Sequence, residues 1–172
     1  MGDKKDFFKD GPSLNIIDDI LAPSDRLKVK FKGANPTAIL GMAPGMIKDV
    51  MKIPGKDLLE TDIRWDATDG SFYGVWMGKR TEDRWTTTYI RVIAQGTQNK
   101  EGFGDFWVEI KGTVETKYDF SNFIQRGFWW FYNYGFYFKQ RRNYLEAAKD
   151  DIQDMRSFVV DKFKIGEDAE VI

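Results

Sequence analysis

The sequence contains no cysteine and no histidine. Without cysteine, the chain cannot form disulfides, use a thiolate nucleophile or bind a metal through sulfur. Without histidine, it lacks the commonest general base and the commonest zinc ligand. Catalysis would have to rest on Asp, Glu, Lys, Tyr or Arg, and the sequence offers no identifiable acid–base pair among them. We therefore predict no catalytic residue, no metal site and no cofactor, and we favour a binding protein over an enzyme.

A large net charge and a long apolar run are also absent. The 26 basic and 27 acidic residues nearly cancel, so the sequence gives no bulk attraction to nucleic acid, and we do not expect it as a partner. The N-terminus has no apolar core of signal-peptide length. The uncharged stretch 127–138 would span roughly 18 Å as a helix, against about 30 Å of bilayer hydrocarbon. We therefore expect no transmembrane segment and a cytoplasmic protein.

Aromatic residues are abundant. They make up 16% of the chain, and 42% of its 172 residues are hydrophobic, which indicates a folded domain with a sizeable core. Residues 128–138 read FWWFYNYGFYF, and a charged, strongly helical run follows. Aromatics at consecutive helical positions point in every direction around the axis, so no single face is dry. Three interpretations stay open: core filler against a sheet, the lining of a cavity, or an exposed patch for a membrane surface or protein partner.

Two short helices are predicted after the first strand. Residues 27–31 alternate apolar and basic side chains, which is typical of a strand with one solvent-exposed face. Asn35-Pro36 then begins a helix, with Asn at the N-cap and Pro in the first turn. Pro44-Gly45 should interrupt this helix and separate it from a second one.

An antiparallel meander is predicted next. Short polar turns separate its strands, and in the last strand Phe106, Val108 and Ile110 should face the core. The four predicted strands cover residues 57–66, 71–80, 85–95 and 103–120.

The last helix should run from Ser121 to about residue 163, roughly 65 Å. A compact domain of this length has a radius of gyration near 16 Å. The helix should therefore bend, with Gly135 the weakest point, or its last turns should project and expose an apolar stripe that includes Ile152 and Met155. We expect self-association or a protein partner at that end. The predicted division is an N-terminal arm with a helical turn after residue 15 (1–26), a domain (27–150) and a helical extension with a tail (151–172).

This order of elements resembles the helix-grip fold of the START/Bet v 1-like (SRPBCC) superfamily over residues 27–150. The family implies an α+β fold in which a curved antiparallel sheet wraps one long C-terminal helix and two short helices prop up its end. The chain offers five or six strands where the family usually has seven. The resemblance also implies a hydrophobic cavity between the sheet and the long helix, which usually holds a lipid-like or aromatic ligand.

Two hypotheses for function follow. The first is non-catalytic binding of a hydrophobic or amphipathic small molecule in that cavity. The second is a protein-interaction module that recruits a larger assembly through the C-terminal helix and exposed aromatics. For the first, the expected ligand-binding residues come from the short helices, the strands and the aromatic run: Met42, Met46, Met51, Trp65, Trp76, Trp130, Phe131, Tyr134 and Phe138. The methionines and the aromatic run could instead be core, and the strand tryptophans could instead pair across strands on the sheet surface. Three arginines form either a solvated face or an anion contact: Arg126, Arg141 and Arg142.

Overall fold

The computed structural model describes residues 13–166 and has an α+β fold, as predicted, with one antiparallel sheet and a long C-terminal helix. The strands are β1 (Ser13–Asp19), β2 (Leu27–Ala34), β3 (Leu58–Trp65), β4 (Ser71–Thr81), β5 (Thr86–Gln98) and β6 (Phe103–Asp119). The helices are α1 (Ala38–Met51), α2 (Phe123–Tyr132) and α3 (Phe138–Phe163). A π-helical stretch, Asn133–Tyr137, joins α2 to α3, and we refer to residues 123–163 together as the long helix.

The sheet is open and follows the order β1-β6-β5-β4-β3. The long strand β6 pairs along one side with β5. Along its other side it pairs with β2, where Leu27 lies opposite Ile110, and with β1, where Asp19 lies opposite Thr113. The first two strands thus lie end to end beside β6. Short hairpin turns explain why the remaining strands follow one another in sequence order.

The two faces of the sheet differ because side chains alternate along each strand. On β6 the apolar residues Phe106, Val108 and Ile110 are buried and face the helices, as predicted. The neighbouring Trp107 lies on the outer face, where the ammonium of Lys28 is 4.1 Å from its ring centroid. The inner face therefore forms one wall of the core.

One helix, α1, lies where the sequence predicted two. Pro44 is inside it and does not end it. The prediction was wrong because burial outweighs the local cost of proline: Ala43, Met46 and Ile47 are buried on one side of the helix, before and after the break that Pro44 would make. The helix continues to Met51 and is followed by Lys52, which adopts a left-handed conformation with φ of 55°.

The first described element also differs from the prediction. Residues 13–19 form β1, although a helical turn was expected after residue 15. Pairing with β6 decides the conformation, since every residue from Ser13 to Asp19 has a partner on that strand. The remainder of the predicted N-terminal arm, residues 1–12, lies outside the described residues.

The C-terminal half of the long helix belongs to the core. Ala148, Ile152, Met155 and Val159 are all 0% exposed and pack in the same cluster as the inner face of the sheet. Near the end of the helix, the ring of Phe163 lies against aromatic rings of β2 and β6. The expectation that these turns project and expose the stripe was therefore wrong.

The π-helical stretch keeps one face of the long helix against the body. Trp129, Asn133, Tyr137 and Arg141 are spaced four residues apart, and all four are buried. In a regular α-helix, three steps of four residues would turn the buried face by roughly 120°. The wider π turn takes up an extra residue and cancels most of that rotation. The helix also continues without a break through Gly135, which was predicted to be its weakest point if the helix bent.

Candidate functional site

Residues 123–138, which we call the aromatic segment, meet the body at the end of the sheet. The ring of Trp129 stacks on Tyr118 of β6, with centroids 5.2 Å apart. Trp85, in the turn between β4 and β5, contacts Tyr132 at 5.9 Å and Tyr137 at 5.1 Å. This aromatic cluster fixes one side of the segment to the body.

A hydrogen-bond network reinforces this attachment. The Tyr137 hydroxyl donates to Asp83 Oδ2 at 2.7 Å, so its contact with the Thr86 hydroxyl at 2.6 Å is one in which it accepts. The Tyr144 hydroxyl also donates to Asp83, at 3.2 Å. Thr86 in turn contacts the hydroxyl of Thr116 on β6. The network therefore joins the β4–β5 turn, the sheet and the long helix.

The network also sets the charge state of its members. Burial raises the pKa of Asp83, but hydrogen bonds from Tyr137 and from the backbone N–H groups of Trp85 and Thr86 outweigh it, and the pKa is lowered overall. Burial, together with the Asp83 carboxylate, raises the pKa of Tyr137. At neutral pH, Asp83 is thus an anion that accepts hydrogen bonds and Tyr137 is a neutral donor. This charge pattern is that of a structural anchor.

The outward sides of the aromatic segment are exposed. Its large apolar side chains range from 43% exposed at Trp130 and Tyr132 to 89% at Tyr134. We call this set the aromatic surface: Phe123, Ile124, Phe128, Trp130, Phe131, Tyr132, Tyr134, Phe136 and Phe138. With roughly 150–250 Å² available per aromatic side chain, it exposes on the order of 1,000 Å². A typical monomer has a largest apolar patch of about 300–600 Å², so the summed exposure of this segment is larger than an ordinary patch.

The residues predicted to bind a ligand lie in different places. Met46, Met51 and Trp76 are together in the filled core, and Met42 is half-buried on α1. Trp65 is exposed at the end of β3. The remaining four belong to the aromatic surface: Trp130, Phe131, Tyr134 and Phe138. These residues do not line one cavity between the sheet and the long helix.

The three predicted anion contacts also separate. Arg141 is buried and forms an ion pair with Asp18 of β1 through one terminal nitrogen, while its Nε has no hydrogen-bond partner among the described residues. Arg142 is exposed and pairs with Glu146 at 3.3 Å. Arg126 is exposed on the aromatic segment. No common anion site unites them.

Open grooves lie on the outer face of the sheet. One, of about 540 Å³, has Trp65, Tyr73 and Trp107 in its lining. Another, of about 360 Å³, is lined in part by Leu59 and Met77. Among residues 13–166, no group of three or more acidic side chains is arranged to hold a metal ion. None of the helices in the described part of the chain has the length and apolar character needed to span a bilayer.

Sequence reasoning did not identify which side of the aromatic segment is buried, because almost every position is aromatic and periodicity does not distinguish the sides. It named Gly135 as a weak point of the helix but overlooked that Gly127 and Gly135 are both exposed between the aromatics. The four-residue spacing of Trp129, Asn133 and Tyr137 did place these residues on one side of the helix. The polar Asn133 meant that this side did not look like an apolar, buried one.

Comparisons with known proteins assign neither a family nor a function to this chain. No family model and no curated protein matches the chain. A solved structure, that of SA2116, a protein of unknown function from Staphylococcus aureus, aligns with 77% of this chain and 90% of its own. The identity is 8% and the TM-score is 0.24, which is too low to indicate a shared fold.

Proposed function

We propose that this protein is a non-catalytic docking module that binds a protein partner through its aromatic surface. The observation that carries the proposal is the exposure of the segment, with Phe131 at 74% and Tyr134 at 89%. Such an area, on the order of 1,000 Å², is comparable to the roughly 800 Å² that each partner contributes to a standard interface. Tyrosine, tryptophan and phenylalanine are also enriched in interfaces of this kind.

The anchoring of the segment supports the same proposal. Binding costs less when the contact residues are held in place before the partner arrives. Here Trp129 stacks on Tyr118, and Tyr137 is hydrogen-bonded to Asp83 and Thr86. The helix backbone that carries the exposed rings is therefore ordered without a partner.

A protein partner fits the segment better than a lipid surface. A helix that lies in a membrane interface has a strongly charged face, rich in Lys and Arg, opposite its apolar face. In the aromatic segment, Arg126 is the one charged residue. The side opposite the exposed rings is occupied by the body, through Trp129 and Tyr137. The experiment must therefore distinguish binding to a membrane from binding to a protein.

The small-molecule hypothesis receives less support from the geometry. Met46, Met51 and Trp76, which were expected to line a cavity, fill the core instead. The helix-grip relationship stays a hypothesis as well. A long C-terminal helix over an antiparallel sheet favours it, whereas the single helix α1 and the open six-stranded sheet depart from the expected pattern.

Site-specific photo-crosslinking in living cells tests the proposal. A benzophenone amino acid replaces Phe131 in one variant and Trp65, exposed on β3, in a matched control. We expect a discrete protein adduct from position 131 and none from position 65. An adduct to lipid, or equal yields of protein adduct from both positions, would contradict a protein-docking role for the aromatic surface.

A further inference from the structure

Two glycines stand in the aromatic segment where no contact with residues 13–166 requires them. Gly127 lies inside α2 and Gly135 inside the π-helical stretch, and both are exposed. A Cβ added at either position would meet nothing within 4 Å. Neither residue has a positive φ. Glycine is poorly suited to a helix interior, and its usual advantage there is that another backbone can approach closely.

The two glycines lie on either side of Phe131, each four residues away along the chain. Gly127 is about 6 Å from it along the helix axis, and Gly135 lies in the opposite direction, within the π-helical stretch. Phe131 follows the buried Trp129 by two residues, or about 200° of rotation, so it points away from the body. The outermost ridge of the helix therefore carries a projecting ring, 74% exposed, between two positions without side chains.

We propose that the docking partner is a second copy of this chain, which makes the inference dependent on the proposed docking function. A two-fold axis that passes beside Phe131, perpendicular to the helix, sets two long helices antiparallel. Residues equally distant from Phe131 in opposite directions then face each other, so Gly127 faces Gly135 of the other copy. The two Phe131 rings meet at the axis, and each glycine pair leaves room beside them for the exposed rings that flank it. Such a surface is complementary to itself, as a two-fold interface requires.

Charge and area are compatible with this pairing. Arg126 is the one charged residue of the segment, so like charges do not face each other across the axis. The aromatic surface, on the order of 1,000 Å², is large enough to supply the roughly 800 Å² per partner of a stable dimer.

The solution mass of the purified protein tests the dimer. We expect twice the monomer mass of 20.0 kDa at concentrations on the order of 100 μM, where even a dimer of micromolar Kd is populated. Phe131→Asp should give a monomer with an unchanged circular dichroism spectrum. The matched control Leu59→Asp, which alters an exposed apolar residue on the outer face of the sheet, should remain a dimer.

A second variant tests the glycines. Replacing Gly127 and Gly135 with leucine improves helix propensity, so the monomer should stay folded. The bulky side chains should nevertheless prevent close approach and abolish the dimer. A dimer that survives either this double variant or Phe131→Asp would overturn the inference.

The register is tested by crosslinking, which the absence of natural cysteine makes clean. With a short bis-maleimide, a mixture of Gly127→Cys and Gly135→Cys proteins should form crosslinked dimers, and each protein alone should form few. Efficient crosslinking of each protein with itself, without a gain in the mixture, would refute the antiparallel arrangement. A wild-type protein that is monomeric would refute self-association. If position 131 still captures a different protein in cells, the docking function stands while this inference fails.

Discussion

Truncating Ile152 to alanine tests which half of the long helix is core. Its side chain is 0% exposed and lies in the cluster that joins the helix to the inner face of the sheet. Loss of a buried isoleucine side chain to alanine costs about 2–5 kcal/mol, from lost burial and the cavity left behind. For a domain of this size, each kcal/mol lowers Tm by roughly 2–4 °C, so the expected drop is about 4–20 °C.

The matched variant is Tyr134→Ala, in the other half of the helix. Tyr134 is 89% exposed, and surface substitutions usually change stability by about 0.5 kcal/mol or less. Both variants are compared by urea unfolding, followed by circular dichroism. The protein is kept dilute so that association does not add to the measured stability. Equal losses, or a larger loss for Tyr134→Ala, would refute the assignment of the C-terminal half to the core.

Three further predictions concern the attachment of the long helix. Tyr137→Phe removes hydrogen bonds to Asp83 and Thr86, so urea unfolding should show a loss of about 1–3 kcal/mol; an unchanged midpoint would mean that the network contributes nothing. Folding lowers the pKa of Asp83. Its contribution to the free energy of unfolding is therefore complete above the unfolded pKa of about 3.9, and it disappears as pH falls through the folded pKa. Thermal melts from pH 6 to pH 2 should therefore show a shallower acid decline for Asp83→Asn, and parallel curves would refute this. Deletion of residues 150–172 should unfold the domain in far-ultraviolet circular dichroism, because the buried stripe of α3 is lost; a folded truncation product would contradict the core assignment.

The sheet was largely predictable because its signals are local. Alternation along the chain identified the strands, and the inward positions Phe106, Val108 and Ile110 are buried as expected. Polar turns between consecutive strands predicted the antiparallel order. Residues 13–19 were missed because their strand depends on pairing with β6, a partner some hundred residues later.

The helices were harder because long-range packing decides them. Pro44 is a strong local signal for a break, yet burial of Met46 and Ile47 against the core keeps α1 continuous. In the long helix, the aromatic half looked like core by composition, and the more polar half looked like a projection. The structure shows the opposite arrangement. Ile152 and Met155 form an apolar stripe that the sheet covers, whereas most side chains of the aromatic segment are exposed.

The candidate site was predictable only in part, because five of the nine residues of the aromatic surface were not among the predicted ligand-binding residues. The sequence singled out Trp130, Phe131, Tyr134 and Phe138 as ligand-binding, and these four share the exposed aromatic surface. Their exposure follows from the contacts of the opposite side of the helix, above all the hydrogen bond between Tyr137 and Asp83. A contact between residues so far apart in sequence leaves no mark in the local pattern.

Oxidative footprinting of Tyr134 tests the central claim most directly, that a protein partner covers the aromatic surface. Hydroxyl radicals label exposed aromatic side chains, and mass spectrometry reports the rate at each residue. In a cell extract cleared of membranes, we predict slow labelling of Tyr134 in the wild-type protein and fast labelling in the Phe131→Asp variant. Trp65, exposed on β3, should be labelled equally in both. Equally fast labelling of Tyr134 in the two proteins would contradict the claim.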